Sequence, residues 1–288
     1  MCKMEMRPSY QSHKGDQMTD SLGAWGNAPL AYALAEIRTE RLADIGAFQP
    51  KLAGRFRDEY PLQRIMNTVK LLATEGQLVI EPGQDTAWEF ATTDNRTAVI
   101  LRPNGLVLHA TDYVGGSKPF LERIHRAISV FAEEVPSVYI NRLGLRFIDF
   151  ILPSEGEVPE NYVDPQLNPV LKLPHKSECN MATSLAIYHV ESGQQLTLRY
   201  TRALGKPEMP PDLGSLSLNP SHLMKPGHVK KNQPTAVLDT DCHRTYAPVV
   251  RLDPTLVQHE FASIYEVSFD TFVAAISNHA KKVWGANK

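Results

Sequence analysis

Asp239 and Asp241 lie two apart in a run, 236–241, that reads as a β-strand, so both carboxylates point to one face. That geometry suits a paired-carboxylate site or a divalent cation. Arg142 and Arg146, four apart in the strand-like segment 137–152, also share a face, with Asp149 on the other. Three chemistries fit these four side chains. An ion-pair ladder would neutralise them across a sheet and hold two halves of the protein together. An anion- or ligand-binding cluster would use the guanidinium forks. An Arg/Asp catalytic site would need all four to converge in a pocket with perturbed protonation.

Other chemistry-bearing residues form weaker patterns. Lys225, His228, Lys230 and Lys231, with His222 nearby, make a basic stretch inside the long Pro-rich segment 203–235. This loop is a candidate for docking a protein partner or the phosphates of a nucleic acid. His175 with Cys179, Cys242 with His243, and His222 with His228 are the His/Cys groupings, and none has the paired, tightly spaced ligands of a structural zinc site. No metal and no cofactor is expected. There is no Gly-x-Ser-x-Gly elbow, and Gly115-Gly116-Ser117-Lys118 lacks the spacing of a phosphate loop and reads as a helix cap.

The elements that must position these residues follow from periodicity and punctuation. Residues 30–40 read as a strand, followed by a turn and a helix from about Pro50 to Tyr60, with Pro50 at its first position. Short strands are expected at 65–73, 78–81, 87–92, 97–101 and 106–113, the last two joined by the hairpin signal Arg102-Pro103-Asn104-Gly105. Ser117 caps a helix with apolar residues at Phe120, Leu121, Ile124, Ile128, Phe131 and Val135, which Pro136 ends. After the strand at 137–152 comes a Pro-rich excursion, 153–178, then a hairpin of 183–190 with 195–201, the strand at 236–241, and a helix capped by Ser268 and stopped at Gly285.

The fold class expected is α+β: an antiparallel sheet with long helices packed on one face, built as two pseudo-repeated β-α-β(n)-α halves. Residues 1–24 form a flexible tail, with Met18 as an alternative start to Met1; residues 25–136 form the first half, and 137–288 the second, with insertions at 153–178 and 203–235. Of 21 prolines, thirteen fall in 153–254, so the proline excess belongs to the second half.

Several separated segments resemble a sporadically distributed, largely uncharacterised family of bacterial proteins. Trp25-Gly-Asn27-Ala28-Pro29-Leu30 resembles that family's opening strand, and Arg142-Leu-Gly144-Leu-Arg146-Phe-Ile-Asp149 its central Arg-x-Gly-Leu-Arg strand. Pro210-Pro211-Asp212-Leu213, Leu238-Asp239-Thr240-Asp241 and His279-Ala280 with Trp284 are also similar, whereas the family pattern places a histidine directly after the aspartate where this chain has Asp241-Cys242-His243. The resemblance covers 25–285 and brings no activity with it. It implies a mobile accessory system of the phage-defence or toxin–antitoxin type.

Composition bounds the function. Lys and Arg number 30 against 32 Asp and Glu, a net charge of −2, which excludes a strongly basic nucleic-acid-coating protein. No apolar run reaches the ~18 residues of a membrane helix. The expectation is a cytoplasmic, non-enzymatic binding or interaction protein with a protein partner or bound ligand. The alternatives are a nucleic-acid-binding protein using the sheet face and the basic loop, and an enzyme with an Arg/Asp site at the central sheet.

Overall fold

The computed structural model describes residues 25–286 apart from 43, 75–76, 112–115, 171–178, 191–192, 214–217, 219–228 and 231. The expected tail, most of the basic loop and part of the first excursion lie outside the described residues. The first half runs β1 (Leu30–Thr39), α1 (Ile45–Phe56), β2 (Leu62–Thr74), β3 (Gln77–Ala91), β4 (Thr97–Arg102), β5 (Gly105–Ala110) and α2 (Ser117–Glu134). The second runs β6 (Tyr139–Ile151), β7 (Met181–His189), β8 (Gln194–Leu204), β9 (Pro234–Arg251), α3 (Pro254–Ala275) and α4 (Asn278–Trp284). These strands form one antiparallel sheet in the order β2-β3-β4-β5-β1-β6-β9-β8-β7.

Within each half the first strand pairs with the last, β1 with β5 and β6 with β9, and the others meander outward; β1 and β6 then pair at the centre. The alternation of each strand divides its side chains between two faces. Ala33, Ala35 and Ile37 of β1, Leu143, Leu145 and Phe147 of β6, and Leu238 and Cys242 of β9 join one apolar cluster with residues of all four helices. The helices therefore pack on one face. The opposite face is partly covered by the segment after β8, whose Met209 and Leu213 pack against Tyr32, Ile148, Phe150 and Val237.

Four local expectations need correction. The first helix starts at Ile45, so Pro50 lies inside it; Ile45, Leu52 and Phe56 are all buried, and this burial offsets the ~3 kcal/mol that an interior proline costs a helix. The strands expected at 78–81 and 87–92 are one strand, and the break around Pro82 is taken up by a register shift opposite Asn67 and Val69. Gly116 (φ 82°) rather than Ser117 sits at the cap position of α2, and Ser117 is its first residue. At the C-terminus, Ser268 is buried inside α3, donating to the Ile264 carbonyl; Asp253 caps α3 by accepting from the Thr255 and Leu256 amides, and Ser277 caps the separate α4.

The split between α3 and α4 has a visible cause. The first excursion folds back on it: Asp164 N–H donates to the Ala275 carbonyl at 2.8 Å, and Ser277 N–H to the Tyr162 carbonyl at 3.0 Å. Tyr162 is buried there against Trp284, with ring centroids 5.6 Å apart.

The hairpin joining β4 to β5 turns at Pro103-Asn104, and Gly105 carries the positive φ, 142°. A Cβ at Gly105 would stand 1.9 Å from the Ile37 carbonyl oxygen, so the close approach of β5 to β1 requires glycine. Gly105→Ala is expected to destabilise the protein by roughly 1–3 kcal/mol from backbone conformation alone, read as a lower denaturant midpoint. An unchanged midpoint would refute this account of the hairpin.

Candidate functional site

The register of the central strands sets side chains in rows on the helix-free face. Arg102, Arg38 and Arg142 lie in one row across β4, β1 and β6. Val107, Glu36, Gly144 and His243 form the next across β5, β1, β6 and β9, and His109, Leu34, Arg146 and Asp241 the one after. Asp239 follows, two residues on from Asp241. All four residues singled out for their chemistry, Arg142, Arg146, Asp239 and Asp241, thus stand on this one face. Asp149 points to the opposite, helix-covered side.

Ion pairs join most of these charges. Arg146 donates from Nε to Asp239 Oδ1 and from Nη2 to Asp239 Oδ2, both at 2.8 Å, a bidentate fork. It reaches past Asp241, its cross-strand neighbour, to do so. The other edge of the same guanidinium is taken by Asp212, in the 3-10 turn Pro211–Leu213 of the overlying segment. Burial alone would lower the Arg146 pKa, but the hydrogen bonds to Asp239 and Asp212 outweigh it and raise it. The hydrogen bonds from Arg146 likewise hold Asp212 below the usual carboxylate range against the opposing effect of burial. Arg142 and Arg38 both donate to Glu36, and Arg142 Nη2 is 3.7 Å from Asp241.

Between these pairs lies a cleft of about 410 Å³. Its walls include Leu34, Val107 and Leu213, and its charged rim includes Arg38, Arg102, Arg142 and Asp241. Gly144 lies at its floor: a Cβ there would stand 3.3 Å from the His243 Cβ and 3.7 Å from the Arg142 guanidinium carbon. Burial raises the Asp241 carboxyl above its ordinary range, opposed by Arg142 and Arg146. Burial, with Arg142 and Arg38 beside it, lowers His243 to about 4, so its imidazole is neutral at pH 7.

Arg102 differs from the other arginines of the cleft. It makes no hydrogen bond or ion pair with a described residue, and burial lowers its pKa, with Glu36 opposing at longer range. Its guanidinium is the uncommitted donor set of the site.

A second polar cluster lies deeper on the same face. The Tyr32 hydroxyl is 2.6 Å from His109 Nδ1, His109 Nε2 is 3.6 Å from Glu89 Oε1, and Arg64 donates to Glu89 Oε2 at 2.8 Å. Tyr32, His109 and Glu89 are all fully buried, and burial lowers the His109 pKa and raises that of Tyr32. Tyr32 also joins the apolar cluster of Ile148, Phe150, Leu213 and Val237.

The chain matches no family model and no curated protein. What bears on function is therefore the geometry of the cleft.

Of the basic-loop candidates, only Lys230 is described, and its ammonium pairs with Glu155 at 3.1 Å, both side chains exposed; Lys225, His228 and Lys231 lie outside the described residues. Among the described residues no cluster of three or more His, Cys, Asp or Glu side chains is placed to hold a metal ion. No helix among them is long and apolar enough to cross a membrane. Arg38, Arg102, Glu36 and Asp212 are site residues that reasoning from the sequence missed as such. Glu36 and Arg38 were legible as alternate positions on one face of β1. Arg102 was legible only as part of a turn, and Asp212 only as part of a resemblance.

Proposed function

We propose that the chain is a non-enzymatic binding protein whose central cleft holds a small anionic ligand, with Arg102 as the primary contact. The observation that carries this reading is the Arg102 guanidinium at the cleft, which has no hydrogen bond or ion pair with a described residue, whereas every other arginine of the rim already faces a carboxylate. A partly desolvated cation with five unused donors gains most from a carboxylate or phosphate that forks onto it. The cleft between the apolar walls at Leu34, Val107 and Leu213 leaves room for the body of such a ligand. The resemblance of the chain adds the setting, an accessory system in which a ligand-binding module of this kind would act.

Isothermal titration of the purified protein with inorganic phosphate, pyrophosphate and citrate is the direct test. At least one anion is expected to bind saturably, and Arg102→Met to weaken it roughly tenfold to a hundredfold, the equivalent of the ~1.5–3 kcal/mol of a charged hydrogen bond. The same substitution should leave the ligand-free protein at least as stable, because it removes an unpaired, desolvated charge. Equal binding by wild type and Arg102→Met would sink the reading.

A further inference from the structure

Among the described strands the sheet ends in β2 and β7, and these two edges are built differently. The sequence of β2 carries Arg64 and Lys70, and its pairing with β3 shifts register between Asn67 and Val69. Charges and bulges of this kind are the ordinary protection of an edge against pairing with another strand. β7 has neither. Its nine residues, Met181–His189, contain no Asp, Glu, Lys, Arg or Pro, and pair with β8 with no register shift from end to end.

The side chains of β7 sharpen the contrast. Met181, Leu185, Ile187 and Tyr188 are 69%, 54%, 56% and 49% exposed, four of the nine large apolar side chains exposed among the described residues. Met181, Leu185 and Ile187 stand on the helix-free face, opposite Ala203, Arg199 and Thr197 of β8. On the helix side, Ser184, Ala186 and Tyr188 border an open groove of about 490 Å³ that Leu167, Thr271 and Ala275 also line.

We propose that β7 is a dimer interface: it pairs antiparallel with β7 of a second copy of this chain, with Ala186 on the two-fold axis, joining two sheets into one. The lack of charge on β7 selects this occupant. An edge bearing Lys or Glu would have to desolvate those groups against apolar side chains, whereas the same uncharged strand brings no unpaired charge and no like-charge contact. The alternation is also self-complementary about Ala186. Leu185 faces Ile187 of the partner subunit, and Ile187 faces Leu185 of the partner subunit, so these two exposed apolar side chains are covered from both sides. On the helix side, Tyr188 of the partner subunit stands beside Ser184, where its ring enters the groove. The backbone donors and acceptors along the outer edge of β7 are paired by the same step.

Sedimentation velocity of the full chain over a micromolar concentration series gives the first readout. The proposal expects a dimer that Ile187→Lys converts to monomer with an unchanged far-UV circular dichroism spectrum. Leu256→Lys, which changes an exposed apolar residue on α3 away from this edge, is expected to leave the dimer intact. In a background with Cys2 and Cys179 replaced by serine, Ala186→Cys should form a disulfide-linked dimer under mild oxidation. Residues on the axis of an antiparallel pair have Cα atoms about 4.5–5.5 Å apart, within reach of a disulfide. Met181→Cys, far from the axis, should not cross-link. A chain that is monomeric throughout, or a dimer indifferent to Ile187→Lys, overturns the proposal. Anion binding at Arg102 is measured separately and does not depend on either outcome.

Discussion

Replacing Arg146 by methionine is expected to lower the free energy of unfolding by about 3–5 kcal/mol, the range for removing one partner of a buried ion pair. The Arg146 side chain is 11% exposed and that of Asp239 only 6%, and the two share a bidentate fork. Without the guanidinium, Asp239 keeps, among the described residues, Arg199, at 3.3 Å and itself 37% exposed, and Asp212 loses its anchor. The cost is that of a desolvated carboxylate left behind rather than the worth of the pair. The double variant Arg146→Met with Asp239→Leu should therefore recover most of the loss. Asp212→Asn should cost under about 1 kcal/mol, because its carboxylate is half exposed and solvent-screened. Denaturant midpoints at constant m-value provide the measurement. A double variant no more stable than the single one would contradict the ion-pair account.

Asp149 is expected to make stability fall with rising pH, and Asp149→Asn to remove that dependence. The carboxyl is buried on the helix side of β6, flanked in register by Leu30 and Leu238, and neither oxygen has a hydrogen-bond partner among the described residues. Burial raises its pKa well above the ordinary carboxylate value, with the charge of Asp239 adding to the shift. The folded state therefore keeps a proton that the unfolded chain releases near pH ~4. Above that pH the native state binds more protons than the unfolded state, so the stabilisation is complete below pH ~4 and is lost as pH rises toward the folded pKa. The slope is about 1.4 kcal/mol per pH unit for one proton. Asparagine has nearly the same shape and does not titrate. The stability curves of wild type and Asp149→Asn should diverge at that slope from pH ~4 upward, with the variant gaining. Parallel curves would show that Asp149 ionises normally in the folded protein.

Asp239 and Asp149 show how far residue patterns reach. Two-residue alternation on a strand is a backbone property, so the shared face of Arg142 and Arg146, and that of Asp239 and Asp241, follow from their spacing in the chain. Which partner each arginine takes does not. Arg146 is register-paired with Asp241 yet forks onto Asp239, a diagonal choice set by side-chain length and by the arrival of Asp212 from the overlying segment. The Tyr32–His109–Glu89 cluster was equally invisible, since its members lie on β1, β5 and β3 and meet only through sheet order.

Local signals also ranked caps wrongly where tertiary contacts intervened. Ser268 looks like a helix start, but the helix was already running from Pro254, and burial of Phe261, Ile264 and Tyr265 carries it straight through. The true interruption, near Ile276, comes from hydrogen bonds with the excursion around Tyr162, more than a hundred residues away in the chain.

Composition and short-range periodicity were enough to specify an α+β chain of near-neutral charge, its strand faces, its long helix α2 and four charged residues on the sheet. Each of these depends on residues only a few positions apart. That Arg102 stands in a cleft with no hydrogen bond or ion pair to a described residue, that Asp149 is buried without a described partner, and that β7 is left as an unguarded edge all emerge from the folded chain instead. Those are properties of which strands become neighbours, and strand order is set by long-range pairing that no local run of residues encodes.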